Sequence, residues 1–293
     1  MMDLYAAYRI GQFLVLKLPL RFSYWLASRF SDLRFATAKK DRNLIINNIK
    51  TITGKDGPDA RRIARQVFRN FAKYLIEFLR FEKMGDEYIK RHVRIEGAEN
   101  IKSALKLGKG AVLFSAHLGN WEWAGALIAH LGFSLKAIVL THKDKRIDDF
   151  FTKQRMINGM GSIPLGGSVR KCLKQLDANG LIAIVSDRDF SNNSIDATFF
   201  GKTAHMPVGT AILAMKKGCP LIPCFIVRQK NDKHVFFIDK PIEYKAPEDN
   251  DAAVKEIVQR VTDVIEKYVR KYPEQWFMFE NPWERKGTKC DSV

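Results

Sequence analysis

Five short apolar runs, Ala111–Ser115, Lys136–Leu140, Leu181–Ser186, Leu221–Val227 and His234–Ile238, punctuate the middle of the chain, with helical stretches between them. Runs of this kind suit strands buried on both faces, because crossover helices cover the two sides of a parallel or mixed sheet. The middle of the chain therefore reads as an α/β fold with a largely buried mixed sheet.

Amphipathic helices flank that region. From about Asp59 to Phe81, Ile63, Val67, Phe71, Tyr74 and Phe78 recur every three or four residues, with Arg61, Arg62, Arg65 and Arg69 on the other side. A second helix is predicted from about Asp251 to Tyr272, through Val254, Ile257, Val261, Ile265 and Tyr268, and Pro273 ends it. Neither a repeat nor a low-complexity linker interrupts the pattern. The 293 residues read as one domain: a helical part over 1–85, an α/β core over 90–245, and a C-terminal helix and tail over 250–293.

Charge narrows the choice of partners. Lys and Arg number 49 against 32 Asp and Glu, a net +17. Residues 1–80 hold 16 of those cations against six acids, so this quarter carries +10 of the excess. An imbalance of that size calls for a polyanionic neighbour, either an anionic membrane surface or nucleic acid. Tyr5, Tyr8, Phe13, Leu14, Phe22, Tyr24, Trp25 and Phe30 alternate with Arg9, Lys17, Arg21 and Arg29. That interleaving suits a helix lying in a membrane interface with its cations snorkelling to head groups, and better than it suits a phosphate groove. A core helix with solvated charges and a tilted, partly inserted anchor are the other readings. The longest stretches free of Asp, Glu, Lys and Arg are Met156–Val169, with 14 residues, and Trp123–Leu135 and Thr203–Met215, with 13 each, all short of the roughly 20 that span a bilayer. No cleavable signal peptide is expected. Four cysteines without a CxxC pair predict a reducing compartment and no structural zinc.

Phosphate-loop, nucleophile-elbow and dinucleotide-turn signatures are all absent. What remains is His117 with Glu122 five positions later, directly after the run Ala111–Ser115. His234 and Asp239 repeat the spacing inside a strand-like run, where an odd separation puts side chains on opposite faces. His117 instead stands at a strand end beside a helix start, where open α/β sheets place their ligands. A turn there could fold the imidazole over Glu122.

The stretch AVLFSAHLGNWEWAG resembles the HxxxxD/E block of bacterial lipid A biosynthesis acyltransferases, within the wider glycerolipid acyltransferase group. The resemblance continues in order through Arg155 in FFTKQRMINGMG, then LDANGLIAIVSDRDF, ATFFGKTAHMPVGTAILAMKKGCPLIPCF and YPEQWFMFENPWER. It covers nearly the whole chain. Two departures stand out. Asp187-Arg188-Asp189 replaces the usual Asp-Gln, and FMFENPWER is less basic than the corresponding segment of lipid A enzymes. The first looks closer to the phosphatidylinositol mannoside acyltransferases.

The resemblance implies a glycerolipid-acyltransferase-like fold with membrane-associated N-terminal helices, at the cytoplasmic face of a bacterial inner membrane. It implies acyl transfer from an acyl carrier protein or coenzyme A thioester to a glycolipid hydroxyl, with no metal and no resident cofactor. His117 would be the base and Glu122 the acid that orients it. Amides of Gly119 and Asn120, with Arg155, would stabilise the oxyanion. Asp187 and Arg188 would order the site or meet the acceptor's head group, or form a structural ion pair. Gly209 and Thr210 in MPVGT resemble a block that holds polar groups in glycerolipid acyltransferases, though a helix start after Pro207 explains them as simply.

Overall fold

The computed structural model of the chain describes residues 3–167, 169–190, 193–244 and 251–284. Four helices come first: α1 (Leu4–Lys17), α2 (Leu20–Thr37), α3 (Lys39–Thr53) and α4 (Gly57–Leu79). Pro19 stands between the first two, and the residue before a proline is pushed out of helical conformation. The chain continues through α5 (Asp86–His92), β1 (Val93–Glu96), α6 (Ala98–Leu105), β2 (Ala111–Ser115), α7 (Trp121–His130), β3 (Leu135–Val139), α8 (Lys145–Ile157), β4 (Gly161–Pro164), α9 (Val169–Asp177) and β5 (Leu181–Val185). A hairpin of β6 (Ser194–Phe199) and β7 (Lys202–Pro207) follows, then α10 (Gly209–Lys217), β8 (Leu221–Arg228), β9 (His234–Ile238) and α11 (Asp251–Lys271). The expected tail beyond residue 284 and the segment 245–250 lie outside the described residues.

Seven strands form a mixed sheet in the order β1-β9-β8-β2-β5-β3-β4. Five run parallel; β9 turns back antiparallel to β8, and β1 lies parallel to β9. The five apolar runs are all strands of it. The two edge strands, β1 and β4, are four residues long and largely half-exposed, so neither makes an apolar run. The hairpin forms a separate two-stranded sheet.

Alternation along the strands divides the interior in two. Val112 and Phe114 of β2 face a core shared with Phe225, Val227 and the Ile257, Val261 and Ile265 stripe of α11. Leu113 faces the other way, into a core with Cys224, Phe236, Leu127 of α7, Ile101 of α6 and Phe78 of α4. Full burial of such side chains stabilises the fold by roughly 1.5–3 kcal/mol each.

The N-terminal stretch is two helices with two-sided character. Tyr24 and Phe35 of α2 are buried, and Asp32 ties α2 to α4 through Arg69 at 2.7 Å and Arg65 at 2.8 Å. On the outside, Phe13 is 62% exposed, Trp25 56% and Phe30 64%. Among the described residues no helix is long and apolar enough to cross a membrane.

Candidate active site

β2 and β5 are parallel neighbours, with Ser115 opposite Val185. Both strands end there, and the Ser186 amide donates to the Ser115 carbonyl at 2.8 Å. Two residues further along each chain stand His117 and Asp187. The imidazole Nδ1 lies 2.6 Å from Asp187 Oδ1, and the His117 amide donates to Oδ2 at 3.0 Å. Trp276 donates its indole N–H to the same Oδ2 at 3.0 Å. Burial alone would push the Asp187 carboxyl up, but His117, Arg188 and the indole outweigh it and hold it below the usual carboxylate range. Burial, then Arg188, pull the His117 imidazole below its ordinary value against the pull of Asp187. A neutral imidazole beside an ionised carboxylate must carry its proton on Nδ1, since the carboxylate only accepts. Nε2 is then the basic nitrogen, and it makes no hydrogen bond among the described residues.

The loop between β2 and α7 is fixed by its main chain. Gly119 has φ +65°, and a Cβ there would lie 1.8 Å from the Ile226 carbonyl oxygen, so glycine is required. Its amide donates to the Gln275 carbonyl at 2.9 Å, that of Asn120 to Ile226 at 3.4 Å, and that of Phe277 to His117 at 2.7 Å. The expectation that the Gly119 and Asn120 amides hold an oxyanion is therefore corrected: backbone carbonyls already occupy both. Asn120 serves instead as the N-cap of α7, its Oδ1 accepting from the Trp123 amide at 3.0 Å.

Glu122 does not orient His117 either. Its two oxygens are taken by Arg155 of α8, with Nε at 2.9 Å and Nη2 at 2.6 Å. Both side chains are almost wholly buried. Helix α7 begins only at Trp121, which directs Glu122 toward α8, while the sheet register delivers Asp187 to the imidazole. Burial acts to lower the Arg155 pKa, but Glu122 outweighs it and raises it above its ordinary value. Its charge is thus matched by Glu122 and not held free for an oxyanion.

His117, Arg155, Arg188, Gly209 and Thr210 line a cavity of about 350 Å³. Much of the remaining wall is apolar, with Leu113, Ala137 and Ala183 from the sheet and Ala124, Gly125 and Ile128 from α7, and Ser115, Glu122 and His142 also reach it. Small side chains leave this space open between sheet and helix. Thr210 shares a 2.6 Å hydrogen bond with Ser186, and Gly209 opens α10 beside it. Arg188 donates to the Phe277 carbonyl, while its Nε is buried with no acceptor among the described residues. Of the aromatic residues near the motif, Trp121 lines the cavity and Trp123 packs in the core. His234 is buried in β9 and Asp239 accepts from Tyr268 at 3.0 Å, so that pair does not meet. Among the described residues no cluster of His, Cys, Asp and Glu is arranged to hold a metal ion.

Reading the sequence missed Trp276 and the pairing of His117 with Asp187. The signal for the pairing was there: His117 stands two positions beyond the run Ala111–Ser115, and Asp187 directly after the run Leu181–Ser186. Only the register, which sequence does not supply, sets them side by side.

The sequence profile described as bacterial lipid A biosynthesis acyltransferase matches residues 3–285. A phosphatidylinositol mannoside acyltransferase of Mycolicibacterium smegmatis is 25% identical over 259 residues, 85% of this chain and 82% of that protein. The Mycobacterium tuberculosis protein of the same description is 25% identical over 73% of this chain and 68% of its own length. A lipid A biosynthesis palmitoleoyltransferase of Escherichia coli is 20% identical over 89% of this chain and 84% of its own.

Proposed function

Because the chain belongs to the bacterial lipid A biosynthesis acyltransferase family and is an acyltransferase, we propose that it moves a fatty acyl group from a thioester to a hydroxyl of a membrane glycolipid. One observation carries the reading: a neutral histidine held by an ionised aspartate opens onto a largely apolar cavity of about 350 Å³. His117 Nε2 takes the proton of the acceptor hydroxyl as its oxygen attacks the thioester carbonyl. The tetrahedral oxyanion collapses, the carbon–sulfur bond breaks, and the departing thiolate recovers the proton from the imidazolium. Asp187 stays ionised throughout, fixing the tautomer and stabilising the cation. Arg188, whose side chain lines the cavity, is the cation for the oxyanion or for an anionic head group. Glu122 and Arg155 brace α7 against α8 beneath the loop. The apolar walls take the acyl chain, delivered as an acyl carrier protein or coenzyme A thioester.

The exposed apolar rows of α1 and α2, flanked by Lys17, Arg21 and Arg29, would rest on the cytoplasmic face of the plasma membrane, where the glycolipid acceptor's chains lie. A lipid A precursor is the acceptor the family points to. Asp187-Arg188-Asp189 and the mannoside acyltransferase relatives favour a phosphatidylinositol mannoside as the second reading. Mass spectrometry of glycolipids from cells with and without the protein separates them. One added acyl mass on a lipid A precursor supports the first, the same gain on a mannoside supports the second, and no gain on any glycolipid contradicts both.

A further inference from the structure

A second buried polar cluster lies behind the catalytic loop, on the side away from Asp187. Glu77, on α4, is 1% exposed. Its Oε1 accepts from the Tyr24 hydroxyl of α2 at 2.5 Å and from Arg228 Nη1, at the end of β8, at 2.7 Å. Its Oε2 accepts from Asn120 Nδ2 at 2.7 Å. His234 Nε2 stands 3.5 Å from Oε1, too far for a hydrogen bond of normal geometry. Burial pushes the carboxyl up, but Arg228 above all, with the hydroxyl of Tyr24, outweighs it, so Glu77 is an anion in the interior.

Stability alone accounts poorly for such an arrangement. Desolvating two ions costs about as much as their attraction returns, and well-packed apolar replacements are often as stable. What a saturated buried ion does supply is one fixed geometry. Here that geometry reaches the loop. The amide of Asn120 is used at both ends, Nδ2 on Glu77 and Oδ1 on the first turn of α7. One turn earlier on α4, Tyr74 stacks on Trp121 with ring centroids 4.4 Å apart, and Trp121 meets the His117 ring edge-on at 4.9 Å. Helix α4 thus grips the residues next to the base twice, once by a hydrogen bond and once by a ring.

We infer that Glu77 is a positioning residue of the acyl-transfer site, its carboxylate holding Asn120 and, through it, the loop that presents His117. The inference rests on the acyl-transfer reading for its kinetic consequence but not for its structural one. Misplacement of a catalytic group by about 1 Å can cost 10²-fold in rate, so loss of the link shows in kcat and not in KM.

The test compares Asn120→Ser with Tyr24→Phe in the full chain. Serine caps a helix as well as asparagine but offers Glu77 no amide, whereas Tyr24→Phe removes a donor to the same carboxylate on the side away from the loop. The readouts are thermal midpoint, kcat and KM for acyl transfer, and the Nδ1–H proton resonance of His117 in histidine-labelled protein. Asn120→Ser is expected to lower kcat on the order of 10–100-fold at nearly constant KM, and to shift or broaden that resonance. Tyr24→Phe should leave both in place at a comparable loss of thermal midpoint. If Asn120→Ser does not fold, Glu77→Gln is read by the same criteria. Wild-type resonance and kcat in the folded variant would overturn the proposal and leave Glu77 a structural ion. Absence of acyl transfer in the unaltered protein would instead sink the functional reading, with the resonance still deciding whether Glu77 positions His117.

Discussion

Trp276 donates its indole N–H to Oδ2 of Asp187 at 3.0 Å, reaching across 89 residues of sequence. The segment carrying it runs beside the loop that holds His117, where the Gln275 carbonyl accepts from the Gly119 amide and the Phe277 amide donates to the His117 carbonyl. The C-terminal segment therefore completes the site rather than merely following it. Trp276→Phe keeps an aromatic ring in place, removes one donor from a buried carboxylate and leaves a small cavity. Unfolding in urea should show a loss of about 1–3 kcal/mol, with turnover reduced as the Asp187 carboxyl loses support. A variant as stable and as active as the parent would show that the indole bond contributes neither.

His234 predicts how stability responds to acid. Burial first, with Arg228 adding to it and Glu77 opposing, brings its pKa down to about 4. Between pH 6.5 and 4 the unfolded chain carries a proton here that the folded chain refuses, so stability rises with pH across that window and is lost as pH falls through it. The contribution is on the order of 3 kcal/mol. Denaturant titrations at successive pH values should show this slope in the parent and a shallower one in His234→Gln. Equal slopes would place the sensitivity elsewhere, with His117, also lowered by burial, the next group to test.

The outer faces of α1 and α2 predict lipid binding without a role in folding. Phe13→Ser, Trp25→Ser and Phe30→Ser together remove exposed apolar area, and each should change stability by no more than about 0.5 kcal/mol. Sedimentation with anionic vesicles should fall sharply, and the remaining binding should weaken with salt. Undiminished binding at the parental thermal midpoint would place the membrane contact on another surface.

The sheet was legible because its central strands are buried on both faces and so form unbroken apolar runs; Leu221–Arg228 is buried at seven of eight positions. Edge strands β1 and β4 have no such run and were missed, as was the hairpin, whose Ser194–Phe199 alternates instead. His117 was legible from its place at a strand end. Its partner was not, because pattern sees residues five apart in sequence and physics pairs residues at one level of adjacent strands. Glu122 drew the assignment by spacing, yet Arg155 of α8 holds both its oxygens. The Gly119 and Asn120 amides fail as oxyanion donors for a related reason: their acceptors, Gln275 and Ile226, arrive from strands and segments remote in sequence.

The central claim is that His117 and Asp187 act as one unit, and kcat measured on His117→Ala, Asp187→Asn, the double variant and Glu122→Gln tests it most directly. His117→Ala should lose 10²–10⁴-fold, the usual contribution of a positioned base, and Asp187→Asn a comparable factor through the wrong tautomer. The double variant should be little worse than His117→Ala, because the pair is non-additive. Glu122→Gln leaves Arg155 buried without its counter-charge, so its main loss should be stability, about 3–5 kcal/mol, with turnover retained in the folded fraction. Parental turnover in folded Asp187→Asn, together with its abolition in folded Glu122→Gln, would contradict the account and return the orienting role to Glu122.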